Sequence, residues 1–280
     1  MDPLLKMKNI YERCCSELRG FEIWNGYYSM RYEEFVKFYN YFPEKHFSSA
    51  LEIGCGIGYQ SAFLSVISDH LVASDIDFGS MIKHSRGLEL TRDFIEQVGV
   101  TNVTVVNANA EKLPFPDNSF DMIYSSYAFQ YVPNKPEALA EIKRVLRPGG
   151  YFFCILPSTG NRITTTKNYY KAACKKMLNW PFQKKNSTSK KDATVSGEMN
   201  TKKSSHTRLL PPPDDEANSF MKELLIYSPA KWTKLFADNK HEIVVKIHSS
   251  IIENNKASQG FLSNLRDQFK SNGFIIITRK

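Results

Sequence analysis

The stretch Leu51-Glu52-Ile53-Gly54-Cys55-Gly56-Ile57-Gly58 decides the fold of this chain of 280 residues. Residues Ala50–Ile53 predict a buried strand that ends abruptly in glycines, and Tyr59–Ser68 predict a helix directly after them. Glycines at alternate positions allow a tight turn and let a ligand touch bare backbone where a Cβ would collide. In open α/β sheets such a crevice lies at the carboxyl ends of the strands, where the winding reverses. The motif therefore predicts a ligand site, with a purely structural turn as the alternative.

On both sides of this stretch, short apolar segments alternate with helical patterns. Strands are predicted at Ala50–Ile53, Leu71–Ser74, Val103–Val106, Phe120–Ser125, Tyr151–Leu156, Glu242–Ser249 and Gly273–Thr278. Helices are predicted within residues 8–46 and at Tyr59–Ser68, Ser80–Val98, Glu137–Leu146 and Pro229–Ala237. Strands separated by helices imply a parallel sheet with helices on both faces. We therefore predict an α/β fold with a Rossmann-like, seven-stranded, mostly parallel sheet and an antiparallel pair at one edge.

The basic charge of the chain is confined to one segment. The net charge is +8, yet Arg162–Arg208 holds twelve Lys and Arg against Asp192 and Glu198, a net charge of +10, so the remainder carries −2. The Lys- and Ser-rich residues 184–219 lack aromatic side chains and predict a disordered segment. We predict a helical N-terminal lid (1–47), a core (48–160), an insertion (161–228) and a C-terminal part of the core sheet (229–280).

The residues after the glycine motif indicate which ligand the crevice takes. A nicotinamide-type fingerprint G-x-G-x-x-G needs a glycine at position 59, where Tyr59 stands, and the chain has no G-K-[ST] phosphate loop. Asp75 closes the second strand 21 residues after Gly54, which places its carboxylate to accept hydrogen bonds from both hydroxyls of a ribose. The alternative for Asp75 is a helix N-cap. These features favour a nucleoside without a pyrophosphate.

With these motifs in place, the chain resembles the class I S-adenosylmethionine-dependent methyltransferases, closest to the small-molecule group of quinone-biosynthesis and trans-aconitate types. The resemblance covers about Ala50–Pro157. It rests on LEIGCGIG (51–58), SDID (74–77), ANAEKLPFPDNSFDMIYSSYAFQYV (108–132) and EIKRVLRPGGYFFCI (141–155). It implies S-adenosyl-L-methionine as the cofactor and transfer of a methyl group to a small organic molecule.

The resemblance also implies roles for single residues. Gly54, Cys55, Gly56 and Gly58 would surround the methionine and ribose parts, with Glu52 ordering the loop or reaching the amino group. Asp75 would hold the ribose and Ile76 would lie against adenine. Asn109 and Ala110 would meet the adenine edge, although the family usually has Asp at the place of Asn109. Glu111 is either part of this site or a surface residue, and Ser125 and Ser126 would present carbonyl groups near the sulfonium.

The sulfonium is an activated leaving group, so such an enzyme mainly has to align the reacting atoms and exclude water. Aromatic faces suit the positive sulfur; the candidates are Tyr127, Tyr131, Tyr27 and Tyr28. Tyr28 belongs to Asn25–Tyr28, which is similar to a lid element of some relatives, although packing against the sheet explains these rings equally well. No general base is evident; Gln130 and Tyr131 are weak catalytic candidates because they follow the fourth strand.

Other classes of protein fit the sequence less well. Five cysteines at irregular spacing argue against a disulfide scaffold, no Cys/His cluster has the spacing of a metal site, and no apolar run is long enough to cross a bilayer. We therefore expect a cytoplasmic enzyme without a metal. Two alternatives stay open: a nucleic-acid or ribosome-associated methyltransferase that uses the basic insertion, and a non-catalytic cofactor-binding sensor or partner.

Overall fold

A computed structural model describes residues 2–17, 25–76, 87–158, 228–248 and 273–280. The helices are α1 (Pro3–Glu17), α2 (Asn25–Tyr39), α3 (Tyr59–Leu64), α4 (Leu88–Val98), α5 (Lys135–Val145) and α6 (Pro229–Asp238), with a 3₁₀ helix at Phe129–Tyr131. The strands are β1 (Phe47–Ile53), β2 (Ser68–Asp75), β3 (Val103–Asn107), β4 (Phe120–Ser126), β5 (Leu146–Pro157), β6 (Glu242–His248) and β7 (Gly273–Arg279). In the described part of the chain, no helix combines the length and the apolar character that a membrane crossing requires.

The strands form one seven-stranded sheet in the order β3-β2-β1-β4-β5-β7-β6. Pairs among β1 to β5 are parallel, whereas β7 runs antiparallel to both β5 and β6. The predicted fold class is therefore confirmed, with β7 as the single strand of opposite direction. The chain winds outward from β1 to β3 and then, after β4, in the other direction, so the winding reverses between β1 and β4.

Both faces of the sheet are covered, which explains why the strands read as nearly continuous apolar runs. Residues that alternate along β5 belong to different cores: Phe153 and Ile155 face the core with α1 to α4, and Phe152 and Cys154 face the core with α5 and α6. All four side chains are almost completely buried. Packing of helices on both faces leaves the carboxyl ends of the central strands as the place for a site.

The N-terminal helices pack on the first of these cores. Phe35 of α2 is fully buried, with its ring 5.8 Å from that of Phe63 and 5.9 Å from that of Tyr124. Phe42, which follows α2, stacks on Phe153 at 4.2 Å. This segment, predicted as a lid, therefore contributes aromatic side chains to the body of the sheet.

Several element boundaries differ from the prediction, and two of these differences have a clear physical reason. Helix α3 ends at Leu64 instead of Ser68, because β2 begins at Ser68. Strand β5 begins at Leu146 instead of Tyr151, since Pro148-Gly149-Gly150 is accommodated as an irregularity in the pairing with β4. Residues 80–86 of the predicted long helix, and the basic insertion up to residue 227, lie outside the described residues.

Candidate functional site

A cavity of about 560 Å³ opens at the carboxyl ends of β1, β2 and β4, where the winding reverses. Its wall is formed by residues from α2, the β1–α3 loop, the ends of β2 and β4, and the segments after β3 and β4. The lining residues are Arg31, Glu52, Ile53, Gly54, Cys55, Gly56, Ile57, Tyr59, Gln60, Asp75, Ile76, Ala108, Asn109, Ala110, Ser126, Tyr127, Ala128, Tyr131, Val132 and Pro133. The structure thus brings together most of the residues that the sequence predicted for one site.

The glycine loop between β1 and α3 is held by hydrogen bonds to the neighbouring strand and helix. The N–H groups of Gly54 and Cys55 both donate to the Ser74 carbonyl, at 2.8 and 3.0 Å. The hydroxyl of Thr91 in α4 donates to the carbonyl of Gly56 at 2.6 Å. The loop is therefore held mainly through its backbone groups.

Two of its glycines are required for different reasons. Gly54 has a φ of +78°, and a Cβ there would lie 2.0 Å from the Cβ of Ala128. Gly56 has a φ of +53°, but a Cβ there would meet no atom within 4 Å. Gly54 thus permits the close approach of the loop to the segment after β4, whereas Gly56 leaves open space beside the cavity wall.

Asp75 and Ile76 form the side of the cavity at the end of β2. The Asp75 carboxylate accepts a hydrogen bond from the N–H of Gly56 at 2.9 Å, and burial raises its pKa. Ile76 is 47% exposed, which is unusual for an isoleucine beside a cavity. Nearby, Oδ1 of Asn109 accepts from the N–H of Glu111 at 2.9 Å, which fixes the amide in a turn.

Glu52 is the buried carboxyl group of the site. Ser61 donates a hydrogen bond of 2.5 Å to its Oε2. Burial raises the pKa of Glu52 to about 7, and the charge of Asp75 acts in the same direction. The group is therefore partly protonated near neutral pH, and a cationic ligand group would favour its charged form.

The segment after β4 faces helix α2 across the cavity. Tyr127 adopts a positive φ of 51°, and the guanidinium carbon of Arg31 lies 4.5 Å from the centroid of its ring. Arg31 pairs with Glu34 at 2.5 Å. One face of Tyr127 thus contacts a cation already, whereas Tyr131 at the cavity mouth is 57% exposed.

Five predicted site residues do not line the cavity. Tyr28 is 4% exposed, and its ring packs 4.8 Å from that of Tyr59, so it lies behind the wall. Gly58 and Ser125 are buried, and Glu111 accepts a hydrogen bond from the Asn134 N–H at 2.5 Å. Gln130 donates to the Tyr127 carbonyl at 2.8 Å. The side chain of Tyr27 lies outside the described residues.

Among the lining residues that were not predicted for the site, Arg31, Tyr59 and Gln60 carry polar groups. Arg31 comes from α2, and its position two turns along an aromatic helix gave no signal in the sequence. Tyr59 and Gln60 were interpreted only as the start of α3. Their position directly after the glycine motif was an available signal, because the first residues of that helix must border the crevice.

Comparison with known proteins finds similarity to methyltransferases. Residues 51–154 match the family model described as a methyltransferase domain. The ubiquinone/menaquinone biosynthesis C-methyltransferase UbiE of Vibrio cholerae is 34% identical over 158 residues, which are 48% of this chain and 58% of that protein. The sterol 4-C-methyltransferase of Caenorhabditis elegans is 32% identical over 127 residues, 43% of this chain and 35% of that protein. The chain spans about half the length of the curated relatives it matches.

Solved structures show the same fold. An S-adenosylmethionine-dependent methyltransferase from Mesorhizobium loti superposes with a TM-score of 0.50 at 14% identity, covering 88% of this chain and 97% of that one. A chain from the complex between the Haloferax volcanii Trm112 methyltransferase activator and a methyltransferase gives 0.51 at 14% identity, covering 92% and 95%.

Proposed function

Because the chain belongs to the class I S-adenosylmethionine-dependent methyltransferases, we propose that it transfers a methyl group to a small organic molecule. One observation carries this proposal: a bare-backbone loop, Gly54–Gly56, lies beside the Asp75 carboxylate in a cavity at the point where the winding of the sheet reverses. A nucleoside with a short side chain matches such a crevice.

The residues of the cavity fit S-adenosylmethionine. In our proposal Asp75 accepts hydrogen bonds from the ribose, and Ile76 and Ala110 contact the adenine, which would cover the exposed side chain of Ile76. Asn109 keeps a second lone pair on Oδ1 for the adenine amino group. Gly54, Cys55 and Gly56 surround the remainder, and the open space beside Gly56 provides the room that a Cβ would fill.

In the mechanism that we assign to the chain, the protein aligns the reacting atoms. When bound, the cofactor supplies a methyl group on a positively charged sulfur, which leaves readily. The protein holds the reactants by the rigid loop and the α2 side of the cavity and excludes water, and positioning of this kind lowers a barrier by about 7–11 kcal/mol. Among the candidates, Tyr131 lies 57% exposed at the cavity mouth, whereas Arg31 covers one face of Tyr127.

The acceptor that we propose is an uncharged or weakly acidic compound with an apolar ring. Two matched relatives are named for C-methylation in ubiquinone/menaquinone biosynthesis and of sterols. Val132 and Pro133 give the cavity an apolar side near Tyr131. Neither a nucleic-acid substrate nor a non-catalytic role is favoured by the relatives.

A reducing compartment such as the cytoplasm is part of the proposal. Within the described part of the chain, Cys14, Cys15, Cys55 and Cys154 form no disulfides. Several cysteines without disulfides are typical of proteins kept in a reducing environment.

Isothermal titration with S-adenosylmethionine and S-adenosylhomocysteine tests the cofactor assignment. We expect Asp75→Ala to weaken both affinities at least about tenfold, since it removes hydrogen bonds to a charged group. Asp69→Ala is the matched control, because Asp69 lies on the same strand with its side chain exposed and paired with His46. Equal affinity of Asp75→Ala and the wild type would falsify the ribose assignment. A tritiated-methyl assay over extract fractions, with mass analysis of the product, identifies the acceptor.

A further inference from the structure

Tyr127, the residue directly after β4, has a backbone conformation that is unusual for its side chain. Its φ of +51° lies in the left-handed region, which bulky residues avoid. The two other described non-glycine residues with a positive φ, Asn118 and Lys240, are exposed polar residues in turns. Tyr127 is instead half-buried and lines the cavity. Strained residues of this kind concentrate at functional sites, where the surrounding structure holds them in place.

Contacts on three sides hold Tyr127 in this conformation. Its N–H donates to the carbonyl of Ile155 in β5 at 2.9 Å, and its carbonyl accepts from Nε2 of Gln130 at 2.8 Å. The guanidinium carbon of Arg31 lies 4.5 Å from the centroid of its ring. Packing alone does not require a positive φ, so these contacts indicate that the placement of this ring at the cavity wall serves a ligand.

The phenol group of Tyr127 does not act as a base. Burial raises its pKa well above the usual value for tyrosine, and the negative charge of Glu34 acts in the same direction, against the opposing effect of Arg31. The phenol therefore keeps its proton at neutral pH. This leaves the ring itself as the part of the side chain that can serve a ligand.

Arg31 also determines which face of the ring is available and what that face attracts. Because the guanidinium covers one face, a ligand can stack only on the opposite face. A cation on one face draws the electrons of the ring toward itself, so the other face favours an electron-rich partner. A methyl acceptor is such a partner, since it attacks the methyl group as a nucleophile.

We propose that Tyr127 is a specificity-determining residue, whose ring face opposite Arg31 stacks on a flat, electron-rich ring of the methyl acceptor and selects it over a saturated ring of the same size. This inference rests on the proposed function and describes its acceptor more narrowly. The next residue, Ala128, lies so close to Gly54 that a Cβ on the glycine would be 2.0 Å from its Cβ. A ring stacked on Tyr127 would therefore lie beside the loop assigned to the donor.

The test compares two probes, 1-naphthol and decahydro-1-naphthol, which share a carbon skeleton and a hydroxyl group but differ in aromaticity. Calorimetry with the protein saturated by S-adenosylhomocysteine gives the ratio of their dissociation constants. We expect the wild type to prefer 1-naphthol about three- to tenfold, which is the effect of one aromatic pair beyond the burial of its area.

Three variants at position 127 separate the ring from the backbone conformation. Tyr127→Leu removes the ring, and Tyr127→Asn removes it while relieving the strain, because asparagine adopts a positive φ readily. In both, the preference should fall to about one. Tyr127→Phe retains the ring and should retain the preference. The matched control is Tyr151→Leu, since the Tyr151 ring also lies beside a guanidinium, that of Arg279 at 5.7 Å, but is not part of the cavity wall.

The outcomes separate this inference from the proposed function. A wild-type protein that does not bind S-adenosylhomocysteine contradicts the proposed function itself. A wild-type protein that binds S-adenosylhomocysteine but binds both probes equally, or neither, overturns the inference and leaves the donor site intact. A preference that persists in Tyr127→Leu and Tyr127→Asn, or that is also lost in Tyr151→Leu, overturns the role of Tyr127. Loss of S-adenosylhomocysteine binding in both ring-deleted variants would assign the ring to the donor and overturn it as well.

Discussion

Replacement of Gly54 by alanine should be far more damaging than the same change two residues later. A Cβ on Gly54 would lie 2.0 Å from the Cβ of Ala128, whereas ordinary contacts are 3.4–4 Å, so the segment after β4 would have to move by about 1.4 Å. Overpacking of this degree costs about 1–3 kcal/mol. The positive φ adds about 1–2 kcal/mol for a residue with a Cβ. Gly54→Ala should therefore lower the free energy of unfolding by about 2–5 kcal/mol.

Two further variants isolate the steric part of this effect. Gly56→Ala carries the same conformational penalty, but its Cβ meets no atom within 4 Å, so it should cost only about 1–2 kcal/mol. In Gly54→Ala/Ala128→Gly the nearest atom of residue 128 becomes its Cα, at 3.5 Å. The double variant should recover the part of the unfolding free energy that the clash removes. The coupling energy between the two positions should then be about 1–3 kcal/mol.

Urea-induced unfolding followed by far-UV circular dichroism measures these differences in the wild type, the three variants above and the single variant Ala128→Gly, which the coupling energy requires, all at one pH and temperature. Equal stability of Gly54→Ala and Gly56→Ala, or no gain in stability when Ala128→Gly is added to Gly54→Ala, would contradict this prediction. Either result would mean that the loop and the segment after β4 do not touch as closely as described.

Two other predictions concern charge. Burial raises the pKa of Glu52 from 4.5 to about 7, so its contribution to stability is complete below pH 4.5 and is lost as the pH rises through 7. Glu52→Gln should therefore gain about 3 kcal/mol relative to the wild type between pH 4.5 and 8 in urea titrations, and parallel pH profiles would contradict this. Arg144 bonds Glu141, Asp117 and two backbone carbonyls. Arg144→Lys should cost about 1–3 kcal/mol in the same assay, more than Arg147→Lys, and equal losses would show that the fork geometry is unimportant.

The sequence predicted the central strands well because their signal is local. Ala50–Ile53 and Phe120–Ser125 are apolar runs bounded by residues that end a strand, and both recur in the structure with small extensions. The Ser65–Ser68 region carries no glycine or proline, so nothing in the sequence marked the end of α3. The turn at Ser65–Ile67 follows instead from the position of β2 beside β1.

The cavity could be predicted on its sheet side and not on its helix side. Glu52, the glycines and Asp75 lie at strand ends, whose common edge follows from the parallel arrangement. Arg31 and Tyr28 lie three residues apart on α2, but one borders the cavity and the other packs behind Tyr59. Which of them faces the ligand depends on how α2 rotates against α3, and this rotation is a tertiary property.

The cavity wall is built partly from strand ends and partly from a connecting segment, and these two parts can change at different rates in evolution. Gly54–Ile57 directly follow β1, and Asp75 ends β2; both strands have neighbours on both sides, so the backbone at these positions is fixed by hydrogen bonds to adjacent strands. Tyr131–Pro133 belong to a connection between β4 and α5, and connections tolerate substitution and insertion better than the elements they join. A lineage with this architecture can therefore exchange one methyl acceptor for another by mutations in such a connection, while the binding of the donor is inherited unchanged.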